Sequence, residues 1–323
     1  MGEVDGGVIV AVDGGGSKTD AVAMDRNGLI VGRASASTSS PHYVGVEAAV
    51  AVIDDLVREI TGGRSVMQAN VYLSGLDLPI EVDTFAQRLQ GVEWASATTV
   101  VENDLFALLR SGTSATDAVA VICGTGVNAI GRRSDGAVAR FAALGNISGD
   151  WGGGAGIGEQ ALWFAARDWD RRGDHTSLTQ LVPEALGFAS IEEVIHALHL
   201  GPLKYASLAR LAPVVSAAAG AGDEIAGRLI DRQAEEIAVM AASCILRLGL
   251  EGKPVPVVVG GGVLRDPNPR MLAGIQSTLA TRAPGATMHH VLAPPILGAA
   301  LLALESAGAS PAALERARGQ LDT

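Results

Sequence analysis

The sequence predicts an α/β protein built from two domains. Its 323 residues exceed what a single core usually accommodates, and 48% hydrophobic residues indicate a substantial buried interior. Segments with strand patterns alternate with segments of helical periodicity. The order strand, glycine-rich turn, strand, hairpin turn, strand occurs over 7–35 and again over 117–141. This repeat favours two related domains facing each other across a cleft, and a chance resemblance between two hairpins is the alternative.

The first repeat opens with an apolar strand at 7–13, typical of the centre of a sheet. Strands at 19–25 and 29–35 flank Asn27-Gly28, a strong hairpin-turn signal. The segments that follow are predicted as a helix at 46–60, a strand at 70–76, a helix at 83–90, a strand at 98–104 and the helix "LFALLRSG".

In the second repeat Asp135-Gly136 marks the hairpin turn. A glycine-dense segment at 144–169 begins as a loop and ends as a helix, and the chain is then mostly helical to about 250. A buried strand at 254–266 ends in glycines, and the tail at 294–308 begins with Pro and continues as a helix.

Charge and cysteine content exclude several classes of protein. A net charge of −11 argues against nucleic acid as a partner, because binding to phosphates needs clustered Lys and Arg. Cys123 and Cys244 are too few for a disulfide scaffold or a four-ligand metal cluster, and they fit a reducing compartment. The start lacks a basic region typical of signal peptides, and the apolar stretch from 296 is short and carries Glu305. We therefore expect a cytoplasmic protein with no membrane partner.

The segment "VDGGGSKTD" (12–20) suggests a phosphate site, and its context decides which kind. A P-loop needs Gly-Lys-Ser/Thr followed by a helix, whereas Ser17 separates Gly16 from Lys18 and a strand follows. A dinucleotide-binding turn also opens a helix and needs G-x-G-x-x-G, which this segment lacks. A tight hairpin at the end of a strand remains.

In such a hairpin, Gly14, Gly15 and Gly16 allow positive φ and leave room for backbone N–H groups to converge on an anion. Ser17 and Thr19 can add hydroxyl donors, and Lys18 a cation. Asp13 is placed to hold Mg²⁺ through water, because Mg²⁺ keeps much of its hydration shell. A glycine-rich turn without a ligand is the alternative.

Two further glycine turns strengthen the phosphate hypothesis. "CGTG" (123–126) could wrap a second side of the same phosphate chain, with Gly124, Thr125 and Gly126 as donors. Gly260, Gly261 and Gly262 follow a buried strand and could let an adenine lie flat against the backbone.

Together, "VDGGGSKTD", "VENDLFAL", "CGTGVNAIG" and "SGDWGGGAGIGEQAL" resemble the BadF/BadG/BcrA/BcrD ATPase family, and more narrowly its N-acetylglucosamine-kinase branch. The resemblance covers essentially the whole chain. It implies a two-domain actin-like ATPase (ribonuclease-H-like) fold with ATP and sugar in the interdomain cleft. The implied domains are 1–112, onto which a C-terminal helix at about 296–323 packs back, and 113–295 with a helical insertion.

The resemblance also assigns the catalytic base to Asp104, in "VEND". An Asp at the start of a helix can equally serve as its N-cap, and Glu102 and Asn103 are its neighbours. The sugar contacts that it implies are Ser40, His42, Asp104, Thr125, Gly145 and Asp150.

Two of the segments that carry these sugar contacts depart from the family pattern. Pro41 stands where the family usually has the Asn of an Asn-His pair, whereas His42 matches the His of that pair. Asp150 could instead stabilise the glycine loop through an Asx-turn. Relatives often carry an acid where this chain has Trp151, which could stack on a sugar or anchor the loop.

The activity implied is an ATP-dependent kinase that uses Mg²⁺ and phosphorylates the 6-hydroxyl of an amino sugar, N-acetylglucosamine first. Kinases for glucosamine, N-acetylmuramic acid or glucose are the alternatives within that class. ATPase activators of the same superfamily resemble the ATP hairpins but carry cysteines for a [4Fe–4S] cluster, and this chain lacks that ligand set. A non-catalytic sugar- or ATP-sensing regulator is a third alternative, and a homodimer is also expected.

Overall fold

The structure, a computed structural model, describes residues 6–322. The chain divides into two compact units. The first comprises the residues up to 115 together with those from 290 onward, and the second comprises residues 116–289. Each unit is built around a five-stranded sheet.

The sheet of the first unit has the order β3-β2-β1-β4-β5. Neighbouring strands β1, β2 and β3 are antiparallel, whereas β1, β4 and β5 run parallel. Every residue of β1 is buried, as expected for a central strand covered on both faces. The strands are β1 (Val8–Gly14), β2 (Lys18–Met24), β3 (Ile30–Ser37), β4 (Val66–Leu73) and β5 (Val100–Asn103).

Two helices, α2 (Val46–Thr61) and α3 (Pro79–Leu89), cover one face of this sheet. α2 buries one stripe of apolar residues against the strands and ends at Gly62, whose left-handed φ of 57° terminates the helix. Pro41 starts the four-residue α1, where its fixed φ and missing N–H suit the first helical position. The helices of this part of the chain are α1 (Pro41–Val44), α2 (Val46–Thr61), α3 (Pro79–Leu89) and α4 (Leu105–Gly112).

The second sheet has the order β10-β9-β6-β7-β8. Its β8-β7-β6-β9 part repeats the β3-β2-β1-β4 part of the first sheet, with antiparallel β6–β7 and β7–β8 and parallel β6–β9. The predicted repeat of the strand unit is therefore confirmed. The strands are β6 (Ala118–Cys123), β7 (Val127–Arg132), β8 (Val138–Arg140), β9 (Val255–Gly260) and β10 (Ala286–His290).

A helical segment separates β8 from β9 in the chain. Its longest helix, α9, buries thirteen of its residues in the core of the second unit. The helices are α5 (Gly153–Trp169), α6 (Leu178–Leu186), α7 (Ile191–Leu200), α8 (Ala212–Gly220) and α9 (Glu224–Arg247), and α10 (Pro269–Arg282) follows β9.

The C-terminal tail returns to the first unit as two helices, α11 (Pro295–Ser306) and α12 (Pro311–Leu321). The expectation of one helix over about 296–323 is wrong. Gly308 adopts a φ of 68°, and Ser310 caps a new helix by accepting a hydrogen bond from the Ala313 N–H. α11 packs on the second face of the first sheet, so both faces are covered. No helix within residues 6–322 is long and apolar enough to cross a membrane.

Gly298 lets α11 approach α4 at backbone distance. A Cβ at this position would collide with the carbonyl oxygen of Ala107 and come within 2.9 Å of the Ser111 nitrogen. We expect Gly298→Ala to lower the free energy of unfolding by about 1–3 kcal/mol, because the helices must separate to admit the methyl group.

Gly319→Ala in α12 is the matched control. No atom lies within 4 Å of the Cβ that it would add, so the better helix propensity of Ala should raise stability by up to about 1 kcal/mol. Urea unfolding of the two variants checks this prediction. Equal shifts for both would show that the contact between α11 and α4 is looser than described.

Candidate active site

The parallel strands β1, β4 and β5 end side by side at one edge of the first sheet. Gly14 pairs with Leu73, and Leu73 pairs with Asn103. The ladder continues beyond the strands, where Ser74 N–H donates to the Gly14 carbonyl at 2.8 Å and Asp104 N–H donates to the Leu73 carbonyl at 3.2 Å. Residues that follow the three strands therefore meet at this edge.

Asp104 lies at this edge and is only 9% exposed. Burial is the largest cause that raises the pKa of its carboxyl, the nearby charge of Asp77 also raises it, and the N–H groups of Leu105 and of Asp104 itself act in the opposite direction, so that the pKa is about 7. The side chain makes no capping hydrogen bond to α4. Asn103 takes that place, because its Oδ1 accepts the Leu105 N–H at 3.0 Å. This leaves the Asp104 carboxylate available as a proton acceptor.

Asp77 and Asn103 lie beside Asp104, the candidate base, and were not predicted to do so. Asn103 is 2% exposed, and its Nδ2 donates to Asp77 Oδ1 at 2.9 Å and to the Leu76 carbonyl at 3.3 Å. Asn103 thus ties the loop after β4 to the start of α4. The only sequence signal was their position near the ends of predicted strands: Asp77 follows the predicted strand at 70–76, and Asn103 lies near the end of the one at 98–104.

Asp13, near the end of β1, lies at the same edge of the sheet and is 8% exposed. Burial raises the pKa of its carboxyl well above the usual value, the charges of Asp104 and Asp20 raise it further, and Lys18 opposes them. Within residues 6–322, no group donates a hydrogen bond to this carboxylate. An oxygen ligand that is buried, unpaired and surrounded by like charge suits a hydrated dication such as Mg²⁺.

A hairpin is present at 14–18, where phosphate binding is predicted. Its glycines allow side chains of the following segment to lie close to the backbone. None of Gly14, Gly15 and Gly16 has a φ in the left-handed region, so the expected use of positive φ is wrong. A Cβ on Gly14 would collide with Ser39 Oγ, and one on Gly16 would lie 3.1 Å from the ring of Tyr43. The Gly15 N–H closes the hairpin by donating to the Lys18 carbonyl at 2.9 Å.

Two polar side chains of the hairpin are engaged within the unit. Lys18 Nζ pairs with Asp20 Oδ2 at 2.6 Å. Thr19 is fully buried, and its hydroxyl lies 2.8 Å from both the Ser37 carbonyl and Ser39 Oγ. Because its single proton is used there, the placement does not support Thr19 as a phosphate donor. Ser17 remains exposed at the tip of the hairpin.

The segment after β3 brings Ser40 and His42 beside the loop that carries Asp77. Gly75 has a φ of 80°, and a Cβ on it would lie 2.9 Å from Ser40 Oγ and 3.0 Å from His42 Cγ. His42 Nε2 lies 2.9 Å from Glu81 Oε1. His42, Asp77 and Glu81 place one ligand atom each within 4.8 Å of one another. Sequence reasoning missed Asp77 and Glu81 because their partners are distant in the chain.

In the second unit, the glycine turns predicted for phosphate and adenosine lie together. Gly261 has a φ of 105°, and a Cβ on it would lie 2.5 Å from the Cys123 carbonyl oxygen, immediately before the turn at Gly124. The N-terminus of α5 lies against that turn, where the Ala155 N–H donates to the Thr125 carbonyl at 2.9 Å. Thr125 is exposed and the turn is open around Gly124 and Gly126. Gly260 is buried and Gly262 is exposed.

Asp150 lies in a tight turn of the second unit. Its N–H donates to the Gly145 carbonyl at 3.0 Å, and the Ser148 hydroxyl donates to Asp150 Oδ2. Trp151 anchors this loop, because it packs on the core and the guanidinium carbon of Arg232 lies 3.9 Å from its ring centroid. The loop is therefore held in place, and one face of the Trp151 ring is occupied by Arg232.

Ionisation of Asp104 should make the folded protein less stable as pH rises. The folded-state pKa is about 7 against an ordinary value of 3.8, so between these values the folded state keeps a proton that the unfolded state releases. Stability falls with pH wherever the folded state binds more protons. We expect Asp104→Asn to remove this contribution to the pH dependence of stability. Above pH 7 the free energy of unfolding of the variant should exceed that of wild type by on the order of a few kcal/mol.

Urea unfolding between about pH 4 and pH 8 measures this difference. The control is Asp83→Asn, an exposed carboxylate on α3, which should follow the wild-type curve. Parallel curves for Asp104→Asn and wild type would mean that Asp104 ionises as an ordinary surface acid.

The chain is similar to known proteins over nearly its whole length. The model of the BadF/BadG/BcrA/BcrD ATPase family matches residues 10–303. The N-acetyl-D-glucosamine kinase of Dictyostelium discoideum is 31% identical over 327 residues, covering 93% of this chain and 98% of that protein. The N-acetylmuramic acid/N-acetylglucosamine kinase of Clostridium acetobutylicum is 26% identical, covering 80% of this chain and 86% of that protein.

Among solved structures, a candidate N-acetylglucosamine kinase from Chromobacterium violaceum is similar with a TM-score of 0.72 at 20% identity, covering 93% of this chain and 99% of that one. At this identity the likeness shows the fold, and with the family match it confirms the predicted actin-like ATPase fold. On the match over residues 10–303, the chain belongs to the BadF/BadG/BcrA/BcrD ATPase family.

Proposed function

We propose that this protein is an ATP-dependent sugar kinase that transfers the γ-phosphate to the 6-hydroxyl of N-acetylglucosamine. The observation that carries the proposal is a buried Asp104 whose pKa of about 7 suits a base working near neutral pH. Similarity over nearly the whole chain to the N-acetyl-D-glucosamine kinase of Dictyostelium discoideum supports the choice of sugar.

In this proposal Asp104 accepts the proton of the sugar hydroxyl as that hydroxyl attacks the phosphoryl group. Asp13 would hold Mg²⁺ through water, and the ion would neutralise charge on the phosphates. The backbone of the hairpin at 14–17 and the turn at Gly124–Gly126, with the Thr125 hydroxyl, would bind the phosphate chain. These neutral donors suit a chain with a net charge of −11, since few cations are at hand.

For the remaining contacts we propose Gly260–Gly262 against the adenosine, and Ser40, His42, Gly145 and Asp150 around the sugar. Gly261 cannot carry a side chain without displacing the end of β6, so this turn stays free of side chains. Asp150 keeps acceptor capacity beside Ser148, and carboxylate acceptors suit sugar hydroxyls. Lys18 forms an ion pair with Asp20, and the Thr19 hydroxyl donates to the Ser37 carbonyl, so neither is included among the proposed phosphate contacts.

Carboxylate-bearing sugars should be poorer substrates. The part of the site around the proposed base contains four acids, and His42 is paired with one of them, Glu81. The four are Asp13, Asp77, Glu81 and Asp104. A lactyl carboxylate would add a further negative charge to this group, which costs free energy in a partly buried site. N-acetylmuramic acid, which the relative from Clostridium acetobutylicum is named for, is therefore the second candidate.

The cysteines do not support an activator ATPase. Cys123 and Cys244 are buried, and burial raises the pKa of each thiol to about 12. Thiols held in the protonated form inside a core are poor ligands for an iron–sulfur cluster. Reduced, buried cysteines also agree with a cytoplasmic location. A homodimer stays an expectation, which light scattering on a sizing column would test.

A coupled ADP-release assay tests the proposed reaction. We expect turnover with N-acetylglucosamine to exceed that with glucosamine, glucose, N-acetylmannosamine and N-acetylmuramic acid, because both similar kinases are named for N-acetylglucosamine and the cluster of acids disfavours the carboxylate of N-acetylmuramic acid. ADP release without sugar should be a small fraction of the stimulated rate. A large rate that no sugar changes would instead favour the activator class.

Replacement of the base gives a second test. Asp104→Asn should lower kcat by about 10²-fold or more with the fold intact, because the amide cannot accept the proton. Glu102→Gln, two residues earlier on β5, is the control and should keep near-normal turnover. Near-normal turnover in Asp104→Asn would remove this carboxylate from the mechanism.

A further inference from the structure

Glu81 has two carboxylate oxygens with different partners. Oε2 accepts hydrogen bonds from the backbone N–H groups of Asp77 at 2.9 Å and Leu78 at 2.8 Å, which caps the N-terminus of α3. Oε1 lies 2.9 Å from His42 Nε2. One side chain therefore joins the loop after β4 to the ring of His42, which is 39 residues away in sequence.

This arrangement fixes the state of both partners. Partial burial acts to raise the pKa of Glu81, but the N–H of Leu78, the His42 ring and the N–H of Asp77 outweigh it, so the pKa lies below its usual value. Glu81 is then an acceptor only. His42 must carry a proton on Nε2 to complete the 2.9 Å contact, which in the neutral ring leaves Nδ1 as an acceptor.

The position of the His42 ring is fixed from a second side by Gly75. A Cβ on that glycine would lie 3.0 Å from His42 Cγ and 3.3 Å from Cδ2, so the ring rests against the bare backbone. Within residues 6–322, His42 has no hydrogen-bond partner besides Glu81. With 38% of its side chain exposed, the ring is held in place and remains accessible to a ligand.

We propose that Glu81 is a positioning residue for the acceptor sugar, holding His42 with Nε2–H toward the protein so that Nδ1 accepts a hydrogen bond from a sugar hydroxyl or amide N–H. The inference rests on the proposed sugar kinase activity. It adds the direction of the hydrogen bond between His42 and the sugar: the sugar donates and His42 Nδ1 accepts. Glu81 determines this direction and need not touch the sugar.

Glu81 also supports the loop of Asp77, which gives it a second route to the reaction through Asn103 and Asp104. The two routes predict different kinetics. Action through His42 changes the KM for sugar, whereas action through the Asp77 loop changes kcat, because the base touches the reacting proton. The proposal assigns the main effect to the first route.

The kinetic test uses Glu81→Gln, which keeps an oxygen for the two backbone N–H groups and loses the charge. We expect the KM for N-acetylglucosamine to rise about tenfold, the effect of losing a charge-assisted hydrogen bond, with the KM for ATP unchanged. The matched control is Glu47→Gln, which breaks an exposed pair with Arg88 on the same unit and should leave both constants at wild-type values.

A double-mutant cycle with His42→Ala separates positioning from general support. If Glu81 acts through His42, Glu81→Gln should raise the KM for sugar no further once the ring is gone. Effects that simply multiply in the double variant would overturn the proposal. So would an equal rise of the KM for sugar and for ATP, which would indicate a distorted fold.

A spectroscopic readout needs no activity. ¹⁵N NMR of the wild-type imidazoles above neutral pH, assigned with His42→Ala, should show His42 in the Nε2–H form, and Glu81→Gln should shift it toward a mixture. An Nδ1–H form in wild type would contradict the proposal. If wild type phosphorylates no amino sugar but the NMR result holds, the proposed function fails and the role of Glu81 in fixing the ring stands.

Discussion

The parallel hydrogen-bond ladder of β1, β4 and β5 is the constraint on which the candidate site depends. Because these strands run in one direction, the residues that follow them are delivered to one edge of the sheet. The ladder extends one step past the strands through the N–H groups of Ser74 and Asp104. The candidate base, Asp104, therefore lies on backbone that cannot move away without breaking hydrogen bonds of the sheet.

That placement puts carboxylates where the folded protein would be more stable without them. Asp13 and Asp104 are buried, the charge of Asp104 raises the pKa of Asp13, and the charge of Asp77 raises the pKa of Asp104, while Lys18 opposes the shift of Asp13. Buried like charges of this kind cluster at functional sites, because strain and desolvation tune acids and bases for chemistry. A metal dication and a sugar hydroxyl are ligands that would relieve the two carboxylates.

Two polar side chains, Asn103 and Glu81, connect the segments around Asp104. Asn103 joins the Asp77 loop to α4 with neutral hydrogen bonds, and Glu81 joins the same loop to His42 with charged ones. Gly75 completes the arrangement by having no side chain at the point where Ser40 and His42 pack. The loop between β4 and α3 thus links the candidate sugar contact with the candidate base, although none of its residues belongs to a motif by which the family resemblance was noticed.

The strand units were readable from the sequence because their signals are local: alternating or continuous apolar runs, glycine turns and the Asn27-Gly28 and Asp135-Gly136 hairpins. The break between α11 and α12 was also local, in Gly308 and Ser310-Pro311, and was overlooked. The assignment of Asp104 came from a motif around it, since an isolated Asp before a helix could equally have been a cap.

Local sequence patterns alone predict an α/β chain with a repeated strand unit, glycine turns suited to phosphate and one favoured acid. Which polar groups are free to act follows from the three-dimensional contacts. The tertiary structure pairs Lys18 with Asp20, engages the Thr19 hydroxyl, gives the capping role to Asn103 and brings Glu81 to His42. The physical reason is that the state of a polar side chain is set by burial and by its partners, and contacts such as that between Glu81 and His42 join residues far apart in the chain.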